Sequence, residues 1–96
     1  MPKGARAGKP LVLRLYVAGR APNSLLAIAN ATAMCHEHFP AAHTLEIVDL
    51  IAEPQRALAD GIIVTPTLLR VAPPPQRRLI GNLSDTARVL LTLAQP

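Results

Sequence analysis

A chain of 96 residues makes one small domain with a single modest core. Half of it is hydrophobic, yet only Tyr16 and Phe39 are aromatic, so Leu, Ile, Val and Ala must fill the interior, and no apolar run reaches the length of a membrane span. The net charge is +4, but Lys3, Arg6 and Lys9 supply three of those charges and leave the rest near +1; without a basic patch on the folded body or aromatic stacking platforms, nucleic-acid binding is not expected.

Residues 1–10 read as a flexible basic tail, with Gly4 and Gly8 spacing its cations, and the folded domain is expected over 11–96. Met1–Lys9 is charged and lacks the apolar core of a signal peptide, which points to the cytoplasm. Cys35 is the single cysteine, so an internal disulfide and a CxxC redox pair are both excluded.

Leu11–Val17 alternates with Leu11, Leu13, Leu15 and Val17 on one face and Val12, Arg14 and Tyr16 on the other, the pattern of a central strand. After a loop through Gly19, Asn23 or Ser24 is expected to cap a helix reaching about Phe39. Leu25, Ile28, Thr32, Cys35 and Phe39 form its expected buried stripe, and Pro40 stops it. Thr44–Leu50 is the second strand, with Leu45 and Ile47 expected inward, and strand, helix and strand in that order predict a parallel pair. Glu53–Asp60 reads as a short helix with Pro54 in its first turn, Ala57 and Leu58 packed inward, and Gly61 at its end.

The segment Gly61–Arg70 is the most informative. Proline removes a ladder donor, so Thr65-Pro66 reads as a turn, a setting for a cis bond, that launches a strand from Thr67 to Ala72. Arg77–Ile80 is a further strand beyond the stiff Pro73-Pro74-Pro75 connection. Ser84 is expected to cap a last helix, with Asp85 set against its dipole and Thr86, Val89, Leu90 and Leu93 on its inner stripe.

Candidate chemistry is sparse. Cys35 lies on an apolar helix stripe and reads as a small hydrophobe. His36 and His38 point to nearly opposite sides of that helix, so Cys35, His36, His38 and His43 do not make a metal site. Arg77 and Arg78 point to opposite faces of their strand, and one of them is expected to join Arg14 and Arg70 over a thinly covered side of the sheet. The carboxylates are dispersed, and no Walker loop or catalytic triad is present. The residues thus read as a non-enzymatic interaction module without a cofactor.

The Thr65-Pro66 turn, followed by Gly81-Asn82-Leu83-Ser84 before the last helix, resembles the second half of a thioredoxin fold. The implied architecture is α/β, βαβαββα, with a mixed four-stranded sheet. Arg20-Ala21-Pro22-Asn23 stands where thioredoxin-like oxidoreductases carry two cysteines, and it holds no sulfur.

A fuller set of motifs resembles the KaiB family of circadian clock proteins between Leu11 and Leu91. It comprises Leu15-Tyr16-Val17-Ala18-Gly19, Pro22-Asn23-Ser24, Asp49 with Pro54-Gln55, Thr65-Pro66-Thr67-Leu68, Pro73-Pro74-Pro75, Arg77-Arg78, Ile80-Gly81 and Leu83-Ser84-Asp85. The resemblance implies a non-catalytic cytoplasmic regulator that binds KaiC or a KaiC-like ATPase, helps capture KaiA and promotes KaiC dephosphorylation, in a circadian or stress-response timing system. It admits a histidine kinase as a further partner and a homo-oligomer, dimer or tetramer. Tyr16, Arg20, Asn23, Arg77, Arg78, Gly81, Asn82 and Asp85 become the candidate partner-binding positions.

The resemblance also implies two folds: a thioredoxin-like monomer and a tetramer with a rearranged second half. Pro66, Pro73, Pro74 and Pro75 are then the fold-switch and cis-proline positions. The thioredoxin-like state is expected here, because the cap and the apolar stripe after Gly81 agree with one another. Leu26 and Ala52 stand where the family often has basic residues, and Asn82 where it often has an acid. The alternative reading is a thioredoxin-like redox or stress-response protein without clock function.

Overall fold

Strand β1 (Leu11–Val17) is apolar on one face, carries Val12, Arg14 and Tyr16 on the other, and is hydrogen-bonded on both edges. The computed structural model describes residues 10–95, so the expected basic tail lies, apart from Pro10, outside the described residues. After β1 come α1 (Pro22–His38), β2 (His43–Asp49), α2 (Gln55–Asp60), β3 (Thr67–Ala72), β4 (Arg77–Ile80) and α3 (Thr86–Leu93). The sheet order is β2-β1-β3-β4. β1 and β2 are parallel, as the intervening helix requires, while β1–β3 and β3–β4 are antiparallel. This is the βαβαββα order and mixed four-stranded sheet expected of the thioredoxin-like state. Thr65-Pro66 is cis, and so are Ala72-Pro73 and Pro74-Pro75. Among the described residues, no helix is long and apolar enough to cross a membrane.

The two faces of the sheet are covered unequally. α1 and α3 close the larger core, built on Leu13 and Leu15, both 0 % exposed, with Ala27, Ala31, Met34, Cys35, Leu68, Leu79, Val89 and Leu93. Burying one such leucine stabilises the fold by about 1.5–3 kcal/mol. The opposite face carries a small cluster of Tyr16, Val48, Ile62 and Leu69 near α2.

Several local expectations are corrected. The α1 N-cap position is Ala21, with no side-chain cap and Pro22 opening the first turn. Asn23 is exposed, and Ser24 is buried inside the helix, where its Oγ accepts from the Ala18 amide at 3.0 Å. The buried stripe is Ser24, Ala27, Ala31, Met34 and Cys35. Leu25 and Thr32 face outward and Ile28 and Phe39 pack at the core margin, because small side chains let α1 lie close to the sheet. On β2, Leu45 borders the larger core but Ile47 is exposed, as an edge strand allows, and Val48 on the other face is fully buried.

In α2 the cap position is Pro54; Ala57 packs inward, whereas Leu58 is 89 % exposed. Gly61 ends the helix at φ +69°, a left-handed residue that glycine adopts at little cost. α3 is capped by Asp85 rather than Ser84: its carboxylate accepts from the Arg88 amide at 3.2 Å. A side chain directly before the first turn reaches that amide, so Ser84 instead donates its own amide to Asn82 Oδ1. Val89 and Leu93 are buried as expected, and Thr86 is exposed.

Arg70 is the largest correction. Antiparallel pairing sets it opposite Leu13, on the α1/α3 face and away from Arg14. It is 1 % exposed. Its Nη1 donates to the carbonyls of Leu93 (2.8 Å) and Gln95 (2.5 Å), and its Nη2 to that of Pro75 (2.8 Å). Nε finds no hydrogen-bond partner among the described residues. A planar guanidinium suits this task because it donates in several fixed directions at once, joining the end of α3 to the proline connection. Arg70→Ala should therefore destabilise the fold by about 3 kcal/mol, since it strands buried carbonyl capacity and opens a cavity. Arg70→Lys should recover only part of that loss. Urea denaturation of both variants checks this, and an unchanged midpoint for Arg70→Ala would contradict it.

Candidate functional site

Strand direction brings four connections to one rim of the sheet. β1 and β2 end there, β3 starts there and β4 ends there. Asp49 organises the first two: its Oδ1 accepts from the Gly19 and Ile51 amides, each at 2.9 Å. Gly19 needs the left-handed conformation, φ +57°, and a Cβ there would lie 3.4 Å from Ile51 Cγ1. On the other side, the Gly81 amide donates to the Pro66 carbonyl at 3.0 Å, and Thr67 Oγ1 to the Val64 carbonyl at 2.7 Å. Asn30 reaches out of α1 to donate to the Asn82 carbonyl at 2.8 Å. Leu83 takes φ +65° and buries its side chain in the larger core. A shallow cleft of about 100 Å³ runs along Leu79–Asp85, closed by Arg88 and Val89.

The face beneath α2 has different chemistry. Tyr16 donates its phenolic proton to Asp60 Oδ2 at 2.6 Å. Arg14 lies 3.2 Å from Glu46 and 3.6 Å from Asp60. Arg56 makes a two-pronged pair with Glu46, at 3.0 and 3.3 Å, and approaches Glu53 and Asp60 at 3.6 and 3.9 Å. Arg78 donates to the carbonyls of Gly61 (2.7 Å) and Asp60 (2.9 Å) at the end of α2. The Arg56 guanidinium holds the Glu46 carboxyl below the usual range. Burial, then the Asp60 carboxylate, pushes the Tyr16 phenol up.

The candidate partner-binding residues therefore separate. Arg20 and Asn23 are exposed at the rim after β1, and Gly81, Asn82 and Asp85 lie at the rim after β4. Tyr16 is fully buried and faces Asp60, so it offers a partner no surface in this conformation. Arg78 is exposed but committed to the α2 carbonyls. Arg77 pairs in register with Arg70 on the other face, away from the rim. Sequence reasoning missed the ion-pair network, although Arg14, Glu46, Arg56 and Asp60 were all visible. Their meeting depends on β1–β2 register and on how α2 returns across the sheet.

Cys35 is buried, and desolvation raises its thiol pKa, the reverse of what a thiolate nucleophile needs. His38 lies 3.5 Å from Glu37, and His43 Nδ1 is 2.5 Å from the Phe39 carbonyl. Among the described residues, no group of three or more His, Cys, Asp and Glu gathers as a metal site.

A family model described as the KaiB domain matches residues 14–95. The chain belongs to the KaiB family. It is 45 % identical over 85 residues to the circadian clock oscillator protein KaiB of Prochlorococcus marinus (strain MIT 9313), covering 88 % of this chain and 71 % of that one. Against KaiB of Nostoc punctiforme it is 43 % identical over 88 residues, covering 92 % and 85 % respectively. Two solved structures share the fold. The N-terminal domain of Synechococcus elongatus SasA aligns at TM-score 0.71 and 22 % identity, over 95 % of this chain and 86 % of that one. Chloroplastic thioredoxin z aligns at TM-score 0.74 and 17 % identity, over 94 % and 80 %.

The sole tyrosine makes the buried pair measurable. Its absorbance titration should have a midpoint above the ordinary value of 10.0, so Tyr16 stabilises the fold below that pH and the contribution is lost as pH rises through the folded value. Asp60→Asn should lower the midpoint without normalising it, because burial remains. Glu46 should titrate below the ordinary glutamate range by NMR, so its pairing stabilises the fold above that range and is lost as pH falls through the folded value. Arg56→Gln should return Glu46 towards normal. An unshifted glutamate in the parent chain would rule out the pairing.

Proposed function

We propose that this chain is a non-catalytic regulator that docks on KaiC or a KaiC-like ATPase and modulates its phosphorylation state in a circadian or timing system. The observation that supports the reading most is the match of residues 14–95 to the KaiB domain. The rim agrees with it. Arg20 and Asn23 from one connection, and Gly81, Asn82 and Asp85 from another, stand beside exposed Ile51, Ile63 and Val64. Exposed apolar groups next to a guanidinium and hydrogen-bonding side chains suit a protein partner better than a small substrate. In this reading Arg77 and Arg78 lie outside the main contact, Tyr16 acts only through Asp60, and the protein works in the cytoplasm. A KaiA-type protein or a histidine kinase is the further partner, and a homodimer or homotetramer is the form that exchanges with the docking monomer.

A redox role would need a thiolate at the start of α1. That place holds Arg20-Ala21-Pro22-Asn23, and the one thiol is buried within the helix.

Mixing the chain with a KaiC-type ATPase and ATP or ADP, followed by size-exclusion chromatography, should give a complex that alters the ATPase's phosphorylation time course. No complex in any nucleotide state would refute the proposal. Arg20→Glu should weaken the complex by about tenfold or more, as expected for an interface guanidinium, whereas Cys35→Ser should leave it intact. Disulfide reduction dependent on Cys35 would favour the redox reading instead.

A further inference from the structure

Helix α2 is attached to the sheet in an unusual way. None of its residues is buried, Leu58 points into solvent, and only Ala57 touches the small apolar cluster. Apart from Ile62, which follows Gly61 and seats in that cluster, nearly everything else holding it is polar. From β1 come Arg14 and the Tyr16 phenol, and from β2 comes Glu46; both strands grip Arg56 or Asp60 of α2. From β4, Arg78 grips the carbonyls at the helix end. Glu53 completes the set, while β3 contributes apolar Leu69 and Val71 on this side and Thr67, whose hydroxyl is spent on the Val64 carbonyl. Three cations and three carboxylates balance: Arg14 and Arg56 each pair with carboxylates at contact distance, while Arg78 is held by backbone carbonyls, so the group coheres mainly through charge. Most of these side chains are part-exposed and open to screening by dissolved ions. The segment also has natural boundaries, at Pro54 on one side and at left-handed Gly61 on the other.

We propose that α2 is a charge-fastened flap: as ionic strength rises it lifts from the sheet as a unit, uncovering Tyr16 while the rest of the fold stays in place. Two features make the motion local. The larger core lies wholly on the other face, so nothing in it needs to move. The hydrogen bonds of α2 and its flanks are short-range, with Ala57 N–H to the Pro54 carbonyl, Gly61 N–H to Leu58 and Ile62 N–H to Ala57, so the turn travels with its own bonds made. What opens is a patch of Tyr16, Val48 and Leu69, residues closed to solvent while the flap is down.

Tyr16 reports on this alone, because the chain has one tyrosine and no tryptophan. Acrylamide quenching of its fluorescence should be compared at low salt and in 1 M NaCl, where the screening length is about 3 Å, with N-acetyltyrosinamide as the reference for the salt itself. The quenching constant should rise about threefold in salt while far-UV circular dichroism is unchanged. Arg56→Gln at low salt should behave like the parent chain at high salt, and Arg20→Gln, on the rim, should leave the response as it was. Amide exchange at Gly61 and Ile62, whose hydrogen bonds travel with the turn, should stay slow in salt, as should that at Leu13 and Leu15, which separates lifting of an intact α2 from its unfolding. Equal quenching at both salt concentrations, or quenching that rises only together with loss of circular dichroism, would overturn the proposal. Either result would mean that the apolar cluster holds α2 until the whole domain unfolds.

Discussion

The central strand must bury both of its faces, and the chain has apolar material to cover only one of them well. Leu13 and Leu15 vanish beneath α1 and α3. On the reverse, Arg14 and Tyr16 face a six-residue helix with no buried residue of its own. An uncovered tyrosine and arginine in a central strand would be a liability, and the answer is pairing: the phenol finds Asp60, and the guanidinium finds Glu46 and Asp60. Every exposed ion pair there is individually weak, so the network gains from sharing, with Arg56 and Asp60 each serving several partners. The arrangement leaves one side of the sheet held by apolar packing and the other largely by polar pairs.

Period-two alternation and proline chemistry made much of the architecture legible in the sequence. Leu11–Val17 could only be a central strand, and β3 and β4 fall within the limits that Pro66 and Pro73–Pro75 impose. Helix faces were harder. In α1 the expected stripe began from the large residue Leu25, but the sheet selects Ala27 and Ala31, whose small side chains permit close approach. Hydrophobicity identified the helix and misplaced its rotation. The capping residue of α3 was one position off for a related reason, since Ser84 and Asp85 are both competent and backbone geometry alone chooses between them.

The candidate site was legible to a different degree. Motif positions at the rim, Arg20, Asn23, Gly81, Asn82 and Asp85, gather from two distant parts of the chain because strand direction brings those connections together. Tyr16 belongs to the same motif and is held inside. Arg70 and Arg14 looked equivalent as lone arginines in apolar strands. Register separates them, so that one fastens the end of α3 and the other faces α2. Nothing local in the sequence encodes that distinction, because it depends on which residue across the sheet each arginine meets.

The outer strand β4 shows how such a small sheet keeps from growing. An edge strand presents unpaired backbone groups on which a foreign strand can settle. Here that edge is four residues long, is preceded by three prolines that cannot donate to a ladder, and carries Arg77 and Arg78 in adjacent positions. A second copy docking edge to edge would set like charges against each other along a run too short to repay the repulsion. A short run flanked by prolines and carrying adjacent arginines is the kind of edge on which a foreign strand finds little to pair with, whereas a longer, neutral edge would invite it.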